Sequence, residues 1–194
     1  MSVLAYPLSK RHMPPRTKEI IGGKVVMMAP ARVAHQDAEV NLVEIFRRYL
    51  RGKRCKILTN AYLHLTDEDK FVPDIMIVCN RKIIKPNGVF GAPDLVVEIL
   101  SRSSMSSDRN DKKAVYEKCG VKEYWIVTAE ARTIEVYLLT DGKYRLDNTY
   151  AAIDEIDKEF MTEEEIENIV HEFKTSIFDD LIIKIEEVFE DMDY

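Results

Sequence analysis

Residues 93–101 read Pro93-Asp94-Leu95-Val96-Val97-Glu98-Ile99-Leu100-Ser101, a β-rich apolar run with one carboxylate inside it. A strand that is apolar at successive positions points side chains into packed layers on both faces, as central strands of an α/β sheet do. A carboxylate in such a run is costly unless something pairs with it. Upstream, Phe71-Val72-Pro73-Asp74-Ile75-Met76-Ile77-Val78-Cys79 repeats the pattern, with Asp74 at the mouth of the run. Downstream, Glu123-Tyr124-Trp125-Ile126-Val127 reads as a third buried strand. These three runs predict the centre of a mixed sheet.

Outward from that centre the periods change. Glu19-Ile20-Ile21-Gly22-Gly23-Lys24-Val25-Val26-Met27-Met28 is two short apolar runs around a Gly-Gly turn, a hairpin signal over about 19–28. From Val33 to Leu50 apolar residues recur at 33, 34, 38, 42, 43, 45, 46, 49 and 50, which is helical spacing, and Gly52 supplies the stop. Residues 56–65 read as a strand, and 81–92 as a loop with turn chemistry at Pro86-Asn87-Gly88. Ser104–Ser107 offer a cap for a helix over Asp108–Lys118, stopped by Gly120. Thr133–Leu139 pairs back through a hairpin, and Asp141-Gly142 turns into a further strand. Thr162 and Glu165 form a capping box opening an acidic helical stretch over 162–174. Leu181–Val188 is a strand or a helix, undecided by period. The order predicts one α/β (α+β) domain over 1–194, with an N-terminal hairpin and an acidic C-terminal extension at about 162–194.

Composition narrows the class. At 194 residues, 46% hydrophobic and 32% charged, the chain can bury a core of its own and is too apolar for a disordered one. No apolar run approaches the roughly 18–20 residues of a membrane span, so no membrane partner is expected. Cys55, Cys79 and Cys119 are odd in number and lack a CxxC spacing, which argues against a disulfide framework and a thiolate zinc site. Reduced thiols and a cytoplasmic location are the expectation. The net charge of −6 hides an asymmetry: residues 1–128 carry 22 basic and 14 acidic residues, whereas 129–194 carry 6 and 20. The first part therefore has a surplus of cations, clustered at 47–54, at 81–85, and at 109–113, as phosphate binding requires.

The misplaced carboxylates suggest chemistry. Asp74 and Glu98, on adjacent core strands, can bind a hard divalent cation, which polarises a phosphoryl oxygen and activates water. The alternative is that Glu98 pairs with a buried Lys or Arg for structural reasons alone. Asp94 shares a strand face with Glu98 but stands about 13 Å away, so an edge or turn role is expected for it. Tyr116 and Trp125 are expected in the core.

Asp74 and Glu98, 24 positions apart on strands followed by a helix, resemble the PD-(D/E)xK nuclease pattern. The segments IIGGKVVMMAP with His35-Gln36, VPDIMIV, GAPDLVVEILS, Asp108-Arg109-(x)2-Lys112-(x)3-Tyr116-(x)3-Gly120-Val121, EYWIV and SIFDDLIIKIEEVF together resemble the Uma family of restriction-endonuclease-like proteins. The resemblance covers about residues 18–189. It implies a restriction-endonuclease-like mixed sheet flanked by helices, and a Mg²⁺-dependent endonuclease site, with Mn²⁺ as substitute, acting on DNA. It implies Asp74 and Glu98 as metal ligands, with the Ile99 carbonyl, and Lys112 as the catalytic lysine. The standard pattern wants that lysine two positions after Glu98, where Leu100 stands, so the lysine has moved to the following helix; Lys113 is the fallback. His35, Arg109 and Lys113 are candidate nucleic-acid contacts. A homodimer fits the cutting of two strands. The competing reading is a non-catalytic nucleic-acid-binding or mobile-element accessory protein that keeps the fold.

Overall fold

The computed structural model describes residues 17–28, 30–100 and 111–192. The chain opens with β1 (Lys18–Ile21) and β2 (Lys24–Met27), joined through Gly22 and Gly23 at positive φ, the conformation a tight hairpin turn demands. Helix α1 (Val33–Leu50) follows, over the span its period predicts. Then come β3 (Lys56–Thr59), β4 (Leu63–His64), β5 (Lys70–Phe71), β6 (Ile75–Val78), β7 (Ile84–Lys85), β8 (Gly88–Phe90) and β9 (Leu95–Leu100). Helix α2 (Lys113–Cys119) stops at Gly120, which takes the left-handed conformation. The rest is β10 (Glu123–Thr128), β11 (Thr133–Thr140), β12 (Lys143–Ala151), α3 (Glu155–Lys158), α4 (Glu163–Glu167), β13 (Glu172–Lys174), β14 (Ile182–Lys184) and α5 (Ile185–Val188).

The central sheet has the order β12-β11-β10-β9-β6-β3, with β9 parallel to β10 and antiparallel to β6. Every residue of β6 and β9 is buried, as the continuous apolar runs require. Successive side chains go to opposite faces. Ile75, Ile77, Leu95, Val97, Trp125 and Val127 join α1 in one core layer. Met76, Val78, Val96, Leu100, Tyr124 and Ile126 join Tyr116 of α2 in the other. That second layer is closed by another six-stranded sheet, β2-β1-β5-β4-β8-β7, which contributes Leu63, Phe71 and Val89. The expected strand over 56–65 is thus two strands in different sheets. The expected loop over 81–92 contains the β7–β8 hairpin.

The C-terminal region departs from an acidic appendage. The Thr162–Glu165 capping box is present, but α4 is short and the chain turns into β13. Leu181–Val188 holds both β14 and α5. Phe173, Leu181, Ile183, Ile185 and Val188 are buried in the α1-side layer. Glu123 of β10 accepts hydrogen bonds from the Ser176 N–H (2.7 Å) and the Trp125 indole (2.6 Å), fastening this region to the sheet. Acidic residues therefore line the outside of a segment whose apolar residues are core.

The expectation of reduced thiols is corrected. Cys55 and Cys79 form a disulfide, while Cys119 is free. The β3–β6 register pairs Lys56 with Val78, so the flanking cysteines face each other one step further on. Sequence spacing carried no sign of that register. Among the described residues, no helix is long and apolar enough to cross a membrane.

Candidate active site

The β6–β9 register pairs Ile75 with Val97, so Asp74 and Glu98 come next on the two strands. Their side chains part from there. Asp74 is buried beside α1. Its Oδ2 accepts the Ile99 N–H at 2.6 Å, and its Oδ1 lies 3.2 Å from Nε2 of His35. Glu39 stands one turn after His35 on the same helix face, and its Oε1 accepts the Asn60 side-chain amide at 2.6 Å. Asn60 sits at φ 49°, a left-handed conformation Asn tolerates. Its N–H is bonded to the carbonyls of Pro73 and Asp74. His35, Glu39 and Asp74 present ligand atoms that lie within 4.8 Å of one another.

The electrostatics of this cluster are those of a site short of positive charge. Burial alone would push the His35 imidazole down. The hydrogen bond to Asp74 and the charges of Asp74 and Glu39 reverse this, and the group titrates above its ordinary value. Burial, then the Asp74 charge, push the Glu39 carboxyl up against the pull of His35 and Asn60. Nδ1 of His35 is buried with no hydrogen-bond partner among the described residues.

Glu98 turns to the other face. Its Oε1 accepts Nζ of Lys112 at 3.2 Å and the Tyr116 hydroxyl at 2.6 Å. Lys112 is 1% exposed and also lies 2.9 Å from Oε1 of Glu19. That Glu19 oxygen accepts the Val72 N–H at 2.8 Å. Burial, and then the neighbouring Glu98 charge, push the Tyr116 hydroxyl well up, so it keeps its proton and donates. Glu98 is thus paired with a buried lysine, the structural alternative that the sequence left open.

Other predicted residues divide. Lys113 lays Nζ over the Tyr137 ring, 3.3 Å from its centroid. Arg109 lies outside the described residues. Asp94 accepts the Cys79 N–H and pairs with Lys122, the turn role expected of it. Tyr116 and Trp125 are wholly buried. Glu39, Glu19 and Asn60 were missed. For Glu39 the signal was present: His35 and Glu39 are polar residues one turn apart flanking the buried stripe of Ala38, Leu42 and Ile45.

The donor set suits a hard divalent cation. Two carboxylates are the ligands Mg²⁺ and Mn²⁺ prefer, and an imidazole leans toward Mn²⁺ and later metals. The Uma2 family model, described as "Putative restriction endonuclease", matches residues 5–167. The chain belongs to the Uma2 family. Two relatives of this family member come from Synechocystis and are named uncharacterized proteins slr1290 and sll1609. The first is 25% identical over 142 residues, covering 72% of this chain and 75% of the relative. The second is 23% identical over 135 residues, covering 67% and 76%. The crystal structure of "a putative nuclease belonging to DUF820" from Anabaena variabilis matches with a TM-score of 0.68 at 18% identity, over 91% of this chain and 93% of that one. The fold is restriction-endonuclease-like, as the sequence implied.

Proposed function

We propose that this chain is a divalent-metal-dependent endonuclease that hydrolyses phosphodiester bonds of DNA. The observation that carries the reading is the convergence of His35, Glu39 and Asp74 on the α1 side of the sheet. The family description supports it. Asp74 is common to two ligand sets: the motif set with Glu98 and the Ile99 carbonyl, and the set with His35 and Glu39. The second is favoured, because Glu98 is engaged by Lys112 and Tyr116. When bound there, Mg²⁺ or Mn²⁺ supplies Lewis-acid polarisation of the phosphoryl oxygen and activation of water. Asp74, fixed by the Ile99 N–H, sets the position of the centre. Lys112, held by Glu98 and Glu19, is assigned the part of the motif lysine that would offset phosphate charge. A homodimer would bring two such centres to one duplex.

One observation favours the non-catalytic reading. Glu98 is not a stranded carboxylate; it is paired with Lys112 and bonded by Tyr116, which suffices for a structural role. Mn²⁺ titration by calorimetry, with plasmid nicking on the same samples, separates the two. Wild type should bind metal and nick, and Asp74→Ala should do neither. A folded wild type that binds no metal even with DNA present would leave the non-catalytic reading standing.

A further inference from the structure

A cleft of about 460 Å³ lies between the C-terminal half of α1 and edge strand β3. Its lining includes Val43, Arg47, Arg51, Lys56, Thr59 and Arg81. Both walls lead back to the candidate centre. Val43 is one helical turn from Glu39, and Arg47 and Arg51 continue the same row at four-residue steps. On the other wall, Thr59 precedes Asn60, whose amide holds Glu39.

The cations on this flank lack counter-charges. Arg47, Arg51 and Lys56 are exposed, and none of them makes an ion pair with an acid among the described residues. The Arg81 guanidinium is held by backbone carbonyls, of Arg54 at 2.6 Å and Lys53 at 3.3 Å, which fix it without neutralising it. The other flank of the same helix end is different. Arg48 pairs with Glu187 at 2.9 Å, and Lys53 with Asp180 at 3.2 Å. The acidic C-terminal region thus neutralises one flank and leaves the other charged.

We infer that the α1–β3 cleft is the track for a DNA backbone leading to the His35–Glu39–Asp74 centre, with Arg47, Arg51 and Lys56 contacting successive phosphates. The inference rests on the nuclease reading and adds the surface by which substrate is held. The scale fits. Glu39 to Arg51 spans about 18 Å along the helix. One DNA strand carries a phosphate about every 3.4 Å of rise, so the track covers about five nucleotides.

The test is binding of a labelled DNA duplex by fluorescence anisotropy in EDTA, where no cleavage occurs, over a range of salt concentrations. Arg47→Ala/Arg51→Ala/Lys56→Ala should bind more weakly and flatten the slope of log K against log salt by about 2.7, or about 0.9 for each single substitution. Arg48→Ala/Lys53→Ala should leave the slope unchanged. Unfolding by urea checks that each variant is intact, and the single variants carry the test should the triple not fold. A triple variant with wild-type affinity and slope, in a protein that nicks plasmid with Mn²⁺, overturns the track and leaves the nuclease reading in place. A wild type that neither binds DNA nor nicks overturns both.

Discussion

Asp74 and Glu98 occupy neighbouring positions on β6 and β9, yet each keeps different company. Asp74 faces α1, where Glu39 adds a second carboxylate and His35 is the one basic side chain paired with Asp74 among the described residues. Glu98 faces α2, where Lys112 and Tyr116 both donate to it. Both carboxylates are buried, so both need compensation. The α2 side supplies it from within the protein, through a lysine bridging Glu98 and Glu19. The α1 side supplies it only in part, and is therefore the side that gains from an external cation. Burial of an acid does not by itself mark a ligand; what surrounds it does.

Breaking the compensated side should have the largest effect on stability. Lys112→Ala would leave Glu98 and Glu19 facing each other without the ammonium, a loss of about 3–5 kcal/mol for removing one partner of a buried ion pair. Urea unfolding measures it directly. A midpoint near that of wild type would mean the α2-side cluster does not exist as described.

On the α1 side the pattern should invert. Asp74→Asn keeps an acceptor for the Ile99 N–H and removes repulsion with Glu39, so stability should move by less than about 1 kcal/mol. Metal affinity should fall by more than the roughly 10–100-fold that loss of a supporting residue costs. Glu39→Gln should act in the same direction. Glu98→Gln keeps an acceptor for Lys112 and Tyr116 and should leave Mn²⁺ affinity within a few-fold while nicking is lost. Calorimetry decides between the ligand sets: loss of metal binding in Glu98→Gln would restore the motif set of Asp74, Glu98 and the Ile99 carbonyl.

This asymmetry marks how far the sequence could be read. Continuous apolar runs announced β6 and β9, the 3.6-residue period announced α1, and Asp74 and Glu98 stood out as carboxylates in apolar surroundings. Each of these signals is local. The second sheet was not legible, because β4, β5 and β7 are two-residue strands whose pairing depends on distant partners. The role of the C-terminal region was hidden for a related reason. Its charge count describes its surface, while Phe173 and Ile183 are single core residues in short strands with no period to show. Glu19 comes from the N-terminal hairpin and meets Lys112 only through the fold. The disulfide likewise depends on a strand register that no spacing rule reveals.

The finest distinction between the two sides is their response to pH. His35 titrates above its ordinary value when folded, held up by the Asp74 hydrogen bond and the charges of Asp74 and Glu39 against burial. Its contribution to the stability of the metal-free protein is therefore fully present below about pH 6.5 and is lost as pH rises through the folded value. Metal binding runs the other way, since an imidazole ligand must give up its proton. Mn²⁺ affinity should climb with pH across the same window, by up to about tenfold per unit for one proton released. The same protein should thus lose stability without metal and gain affinity for it over one pH range. His35→Ala should flatten both trends and Glu98→Gln neither, because the imidazole stands only on the Asp74 side. Thermal melting of the metal-free protein and calorimetry in two buffers of different ionisation enthalpy measure the two trends separately. Parallel trends, or a slope that survives His35→Ala, would remove His35 from the ligand set and leave Asp74 to the strand motif alone.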